Sequence, residues 1–154
     1  MPELRKDPVI GRWVIIATER AKRPSDFTSS KETNAEGPCP FCEGHETMTR
    51  KEVFAIRRAD TQPDTPGWEV RVVPNIVPLF RIEGDLGRRG VGMYDVMNDI
   101  GAHEVILETA QHIANIADLA EEQIARGIKA QVERLLDLEK DYRFKCILLF
   151  KNYF

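Results

Sequence analysis

The chain has 154 residues, of which 42% are hydrophobic and 31% charged, with a net charge of −3. That is enough material to bury the core of one domain, and the slight acidic balance gives no electrostatic reason for nucleic-acid binding. No apolar run approaches the roughly 20 residues of a membrane helix, and residues 1–7 contain no apolar signal core, so the expectation is a cytoplasmic protein with no membrane partner.

Residues 12–18 are β-branched and aromatic and predict a strand after the turn at Asp7-Pro8 and Gly11. Residues 19–38 are polar and basic, then rich in Ser, Thr, Asn, Gly and Pro. They predict a long surface loop that leads into Cys39-Pro40-Phe41-Cys42. Strands are predicted over residues 52–57 and 68–73, the second ended by Pro74-Asn75. Residues 83–92 predict a mobile Gly/Arg-rich loop, followed by strands over 94–97 and 103–108. In the helix that follows, Ile124, Ile128, Val132, Leu135 and Leu136 form one apolar stripe. Asp118 with Glu121 marks its start as a capping box. The apolar run 144–150 predicts a buried strand, with Cys146 in the core. Strands, then a helix, then a strand predict an α+β domain over 1–154, with a mostly antiparallel sheet and the long helix packed on one face. A domain that stops inside its own last strand reads as a fragment of a longer protein.

Two thiolates at the Cys39–Cys42 spacing can hold one tetrahedral zinc, with Gly44 easing the turn around the metal. They supply two of four ligands, so the remainder should be histidine. The chain has His45, His103 and His112. His112 ranks first among them, because it follows a strand end, where ligands converge without breaking a ladder. A redox dithiol is the competing reading. It usually needs a helix N-terminus to lower the thiol pKa, and here the motif leaves a long polar loop instead. The basic cluster Arg20-Ala21-Lys22-Arg23 either holds phosphate with planar bidentate donors or is a solvated loop. Asn75 suits a base or ribose contact and equally a turn.

Taken in order, several motifs carry a resemblance. They are Leu4-Arg5, Trp13-Val14, Arg20-Ala21-Lys22-Arg23-Pro24, Cys39-Pro40-Phe41-Cys42 with Gly44, and Val72-Val73-Pro74-Asn75. Gly101-Ala102-His103-Glu104-Val105-Ile106 with His112, and Phe150-Lys151-Asn152, complete the set. Together they resemble the N-terminal half of the galactose-1-phosphate uridylyltransferase family, of histidine-triad-like fold. The resemblance implies a nucleotidyltransferase of galactose metabolism that moves a uridylyl group between UDP-glucose and galactose 1-phosphate through a uridylyl-histidine intermediate. It implies zinc as cofactor with Cys39, Cys42 and His112 as three ligands. It also implies nucleotide contacts from Arg20, Ala21, Lys22, Arg23, Asn75 and Asn152, and it raises a homodimer as an expectation. The family's His-x-His-x-Gln motif, with the fourth zinc ligand and the nucleophile, has no counterpart in the chain, so the domain is expected to be incomplete and inactive alone. Alternatives are an adenylyl-transferring relative and a non-catalytic zinc- or nucleotide-binding module.

Overall fold

Short β-branched runs, separated by glycine and proline turns, pair into two antiparallel sheets, and one amphipathic segment forms the only long helix among the described residues. The computed structural model describes residues 2–17, 37–113 and 115–151. The chain divides into two compact units, Met1–Cys39 with Val77–His103, and Pro40–Ile76 with Glu104–Phe154.

The first unit holds β1 (Glu3–Lys6), β2 (Trp13–Ile16), β5 (Arg89–Val91) and β6 (Tyr94–Asn98), in the order β2-β1-β6-β5. Leu4 sits opposite both Ile15 and Met97. β1 is a charged tetrapeptide with no apolar alternation to announce it. Its charges are paired: the Glu3 carboxylate accepts from Arg5 at 2.6 Å and from Arg89 at 3.1 Å. The predicted mobile loop over 83–92 is corrected in part, because Arg89–Val91 pairs with β6 through a two-residue turn at Gly92-Met93. Gly92 has φ +58°, the left-handed conformation such hairpin turns require.

The second unit holds β3 (Phe54–Arg57), β4 (Trp68–Pro74) and β7 (Glu104–Leu107), with β4 in the centre. Val72 sits opposite Phe54 on one side and Ile106 on the other. Trp68, Val70, Val72, Val73 and Leu107 are buried with Ala130 of the helix α1 (Glu121–Leu138). Burial of Arg71 in this strand, 1% exposed, demands acceptors for its guanidinium. It donates to Glu52 at 2.9 Å, Asp64 at 2.8 Å and Thr49 Oγ1 at 2.7 Å. Arg57 also donates to Glu52. This network folds residues 49–64 back against the central strand.

Three expectations for the C-terminal third are corrected. The buried residues of α1 are Gly127, Ala130 and Arg134, whereas Ile128, Val132 and Leu136 of the expected stripe are exposed. Small residues sit on the packed face, where a Cβ on Gly127 would make ordinary contact with Glu108 Cγ at 3.7 Å. Arg134 then grips Glu104 of β7 with two bonds, at 2.6 and 2.9 Å. The capping box does not form. Ala120 is the N-cap, and Asp118 lies in a 3-10 turn capped by the Asn115 side chain. Glu121 and Glu122 instead face the positive helix end. Residues 144–150 form no strand, and Cys146, Leu148, Leu149 and Phe150 are exposed rather than buried. A continuous apolar strand needs ladders on both sides, and none of the described strands pairs with this run.

The α+β architecture with antiparallel ladders and one long helix stands as expected. No described helix is long and apolar enough to cross a membrane. Breaking a buried ion network from one side leaves an uncompensated charge. Arg71→Met is therefore expected to lower unfolding stability by roughly 3–5 kcal/mol, read from urea denaturation midpoints. A loss below about 1 kcal/mol, the scale of exposed pairs, contradicts this account of the network.

Candidate metal centre

The Cys39–Cys42 segment is a tight turn continued by Gly44 at φ +91° and a 3-10 turn over Glu46–Met48. His112 arrives from the other side, five residues after β7 ends at Leu107. One backbone bond joins the two segments: the Glu43 N–H donates to Ala110 O at 2.9 Å. The result is a three-donor cluster of Cys39, Cys42 and His112, whose ligand atoms all lie within 4.8 Å of one another. Cys42 Sγ is 3.4 Å from His112 Nδ1.

That spacing fits zinc. With Zn–S of about 2.3 Å and Zn–N of about 2.0 Å at a tetrahedral angle, the S···N edge is about 3.5 Å. Two thiol sulfurs and an imidazole nitrogen are also the donor types that structural zinc prefers. Neither cysteine is in a disulfide, and both are half-buried. A redox dithiol gains little support from its surroundings, since a three-residue 3-10 turn follows the motif where a redox motif would open a helix.

The other histidines stay outside the cluster. His103 Nδ1 accepts the Leu79 N–H at 3.0 Å. His45 is the N-cap of the 3-10 turn, and its Nδ1 is buried with no hydrogen-bond partner among the described residues. Asn75 is half-buried just past the end of β4. Arg20, Ala21, Lys22, Arg23 and Asn152 lie outside the described residues.

Sequence reasoning missed the pair of carboxylates that hold the turn. Glu43 Oε1 accepts the Gly67 N–H at 2.6 Å and Arg58 Nη2 at 3.0 Å. Glu46, 6% exposed, accepts the Trp68 indole N–H at 2.8 Å and the Gly44 N–H at 3.0 Å. The signal was a Glu-x-x-Glu spacing directly after the second cysteine, but its meaning depends on Gly67-Trp68, which no local pattern links to it. Burial pushes the Glu46 carboxyl up, yet the bonds from Trp68 and Gly44, with the charge of Arg71, hold it below its ordinary 4.5. A carboxyl depressed in this way stabilises the fold above its unfolded value, and that contribution is lost as pH falls through the lower folded value. Trp68→Phe removes one donor and leaves the ring. It is expected to cost roughly 1–3 kcal/mol at neutral pH and to flatten the loss of stability below pH 4.5. Urea denaturation carried from neutral to acid pH checks this, and an acid limb identical to the wild type contradicts it.

The fold has counterparts in known proteins. Over 156 aligned residues the chain is 33% identical to an ADP-glucose phosphorylase of Arabidopsis thaliana, covering 98% of this chain and 43% of that protein. The crystal structure of an Arabidopsis thaliana ADP-glucose phosphorylase with bound ADP-glucose matches at 31% identity and a TM-score of 0.53, over 92% of this chain and 39% of that one. A uridylyltransferase structure matches at 26% identity and a TM-score of 0.59, over 91% and 36%. Residues 90–154 match a family model described as "Domain of unknown function (DUF4931) N-terminal domain". The chain spans less than half the length of these relatives. It is thus homologous to an ADP-glucose phosphorylase and to a uridylyltransferase, and shares their histidine-triad-like α+β fold.

Proposed function

We propose that the chain is the N-terminal, metal-bearing portion of a UDP-glucose:hexose-1-phosphate uridylyltransferase of the galactose-1-phosphate uridylyltransferase family. The observation that carries the reading is the structural likeness to a uridylyltransferase over 91% of the chain. The three-donor cluster at Cys39, Cys42 and His112 supports it.

In this reading Cys39, Cys42 and His112 hold zinc, and a fourth ligand comes from a His-x-His-x-Gln segment. Bound zinc would supply a structural tie between the cysteine turn and the segment after β7. Arg20 to Arg23 meet the phosphates of the sugar nucleotide, where planar guanidinium donors offset developing charge. Asn75 and Asn152 serve the nucleoside and phosphate ends. The nucleophile that takes the uridylyl group from UDP-glucose and passes it to galactose 1-phosphate is a histidine outside this set of three. His112 is committed to metal. His103 Nδ1 is engaged by the Leu79 N–H. His45 Nδ1 is buried. The working enzyme is read as a homodimer.

A second reading, in which the nucleotide is adenylyl rather than uridylyl, is favoured by one observation, the 33% identity to an ADP-glucose phosphorylase. Calorimetric titration of the zinc-loaded chain with UDP-glucose and with ADP-glucose separates the two. Tighter binding of UDP-glucose is the expected result, tighter binding of ADP-glucose establishes the second reading, and binding of neither contradicts both. With UDP-glucose labelled in its uridylyl phosphate, no label is expected to remain on the denatured 154-residue chain. A labelled His45, His103 or His112 peptide would overturn the assignment of the nucleophile.

A further inference from the structure

We infer that Glu43 is a positioning residue for the metal cradle, acting through an uncharged acceptor role rather than through its ion pair; the inference rests on the metal reading of Cys39, Cys42 and His112. Glu43 directly follows Cys42, and its N–H donates to Ala110 O at 2.9 Å, two residues before His112. A single residue therefore touches the neighbourhoods of both ligand segments. What holds that residue in place is its side chain, whose Oε1 accepts the Gly67 N–H at 2.6 Å and Arg58 Nη2 at 3.0 Å. The Arg58 N–H in turn donates to Gly67 O at 2.9 Å, which closes a ring of Glu43, Gly67 and Arg58 at the start of β4.

Gly67 fixes the direction of that bond. It is buried with φ +103°, and a Cβ there would meet Thr61 Cγ2 at 2.3 Å, so its backbone conformation is open to glycine alone. A buried N–H needs an acceptor, and the Glu43 carboxylate is the one it has. The two contacts of the carboxylate are unequal. The Arg58 side chain is 64% exposed and that of Glu43 36%, so water screens their attraction and the pair contributes little. The Gly67 bond is part-buried, and its donor is a buried, rigid backbone N–H. Loss of the acceptor frees Glu43 from β4, and with it the N–H that sets the Cys42-to-His112 gap. Glu46 latches the far side of the same turn to Trp68, so the turn itself persists while the gap loosens.

The test is Co²⁺ titration of the full chain, read by thiolate-to-metal absorption, with Zn²⁺ affinity from competition. Glu43→Ala is expected to weaken both metals ~10-fold and to alter the Co²⁺ spectrum. Glu43→Gln keeps an oxygen for Gly67 and is expected to restore wild-type affinity and spectrum. Glu43→Asp keeps the charge but loses reach, and is expected to behave like Glu43→Ala. Arg58→Ala is expected to bind as the wild type does. Should Glu43→Ala fail to fold by circular dichroism, the Gln and Asp variants decide the question between them. Wild-type affinity in Glu43→Asp, or a Glu43→Gln as weak as Glu43→Ala, overturns the inference. A wild-type chain that takes up neither metal overturns the metal reading beneath it, which is a distinct result.

Discussion

β4 is buried between two neighbours, and the order of the second unit depends on how its polar groups are satisfied. Trp68, Val70, Val72 and Val73 supply the apolar burial, while Arg71 brings a full charge into the same strand. That charge can stay only with several acceptors around it. Glu52, Asp64 and Thr49 provide them, and so the chain before β4 must fold back over it. The strand opens at Trp68, directly after Gly67, and the N–H groups of these two residues are taken by Glu46 and Glu43. Packing thereby becomes geometry: a strand that must satisfy its donors holds a cysteine turn in place, and the turn stands opposite His112.

Magnitudes decide which of these contacts matter. Ion pairs such as Arg58–Glu43 and Lys140–Asp137 are exposed, and screening leaves each worth little. Bonds to buried donors are different, because an unmet donor incurs its full desolvation cost. For the same reason Arg134, buried against Glu104, sets the face on which α1 packs, over a more apolar alternative.

Much of this was legible beforehand, for identifiable reasons. β2, β3, β4, β6 and β7 announce themselves through β-branched and aromatic runs, and Cys39, Cys42 and His112 through donor chemistry and position relative to a strand end. β1 was hidden, since Glu3, Arg5 and Lys6 form a strand only because β2 and β6 flank it. The helix face was misread because hydrophobicity ranked Ile128 and Val132 above Gly127 and Ala130, whereas the packed face is the one that carries Arg134 to Glu104 of β7. The run 144–150 has strand composition, but none of the described strands pairs with it. The carboxylate latch was illegible for a different reason: Glu43 and Gly67 are separated by 24 positions, and only the fold brings them together.

The account depends most on Cys39, Cys42 and His112 acting as one zinc site. X-ray absorption at the zinc edge of the loaded chain tests this directly. The predicted first shell contains two sulfurs at about 2.3 Å with nitrogen or oxygen neighbours at about 2.0 Å. A shell of oxygen and nitrogen alone, or one unchanged by His112→Ala and Cys42→Ala, would contradict it.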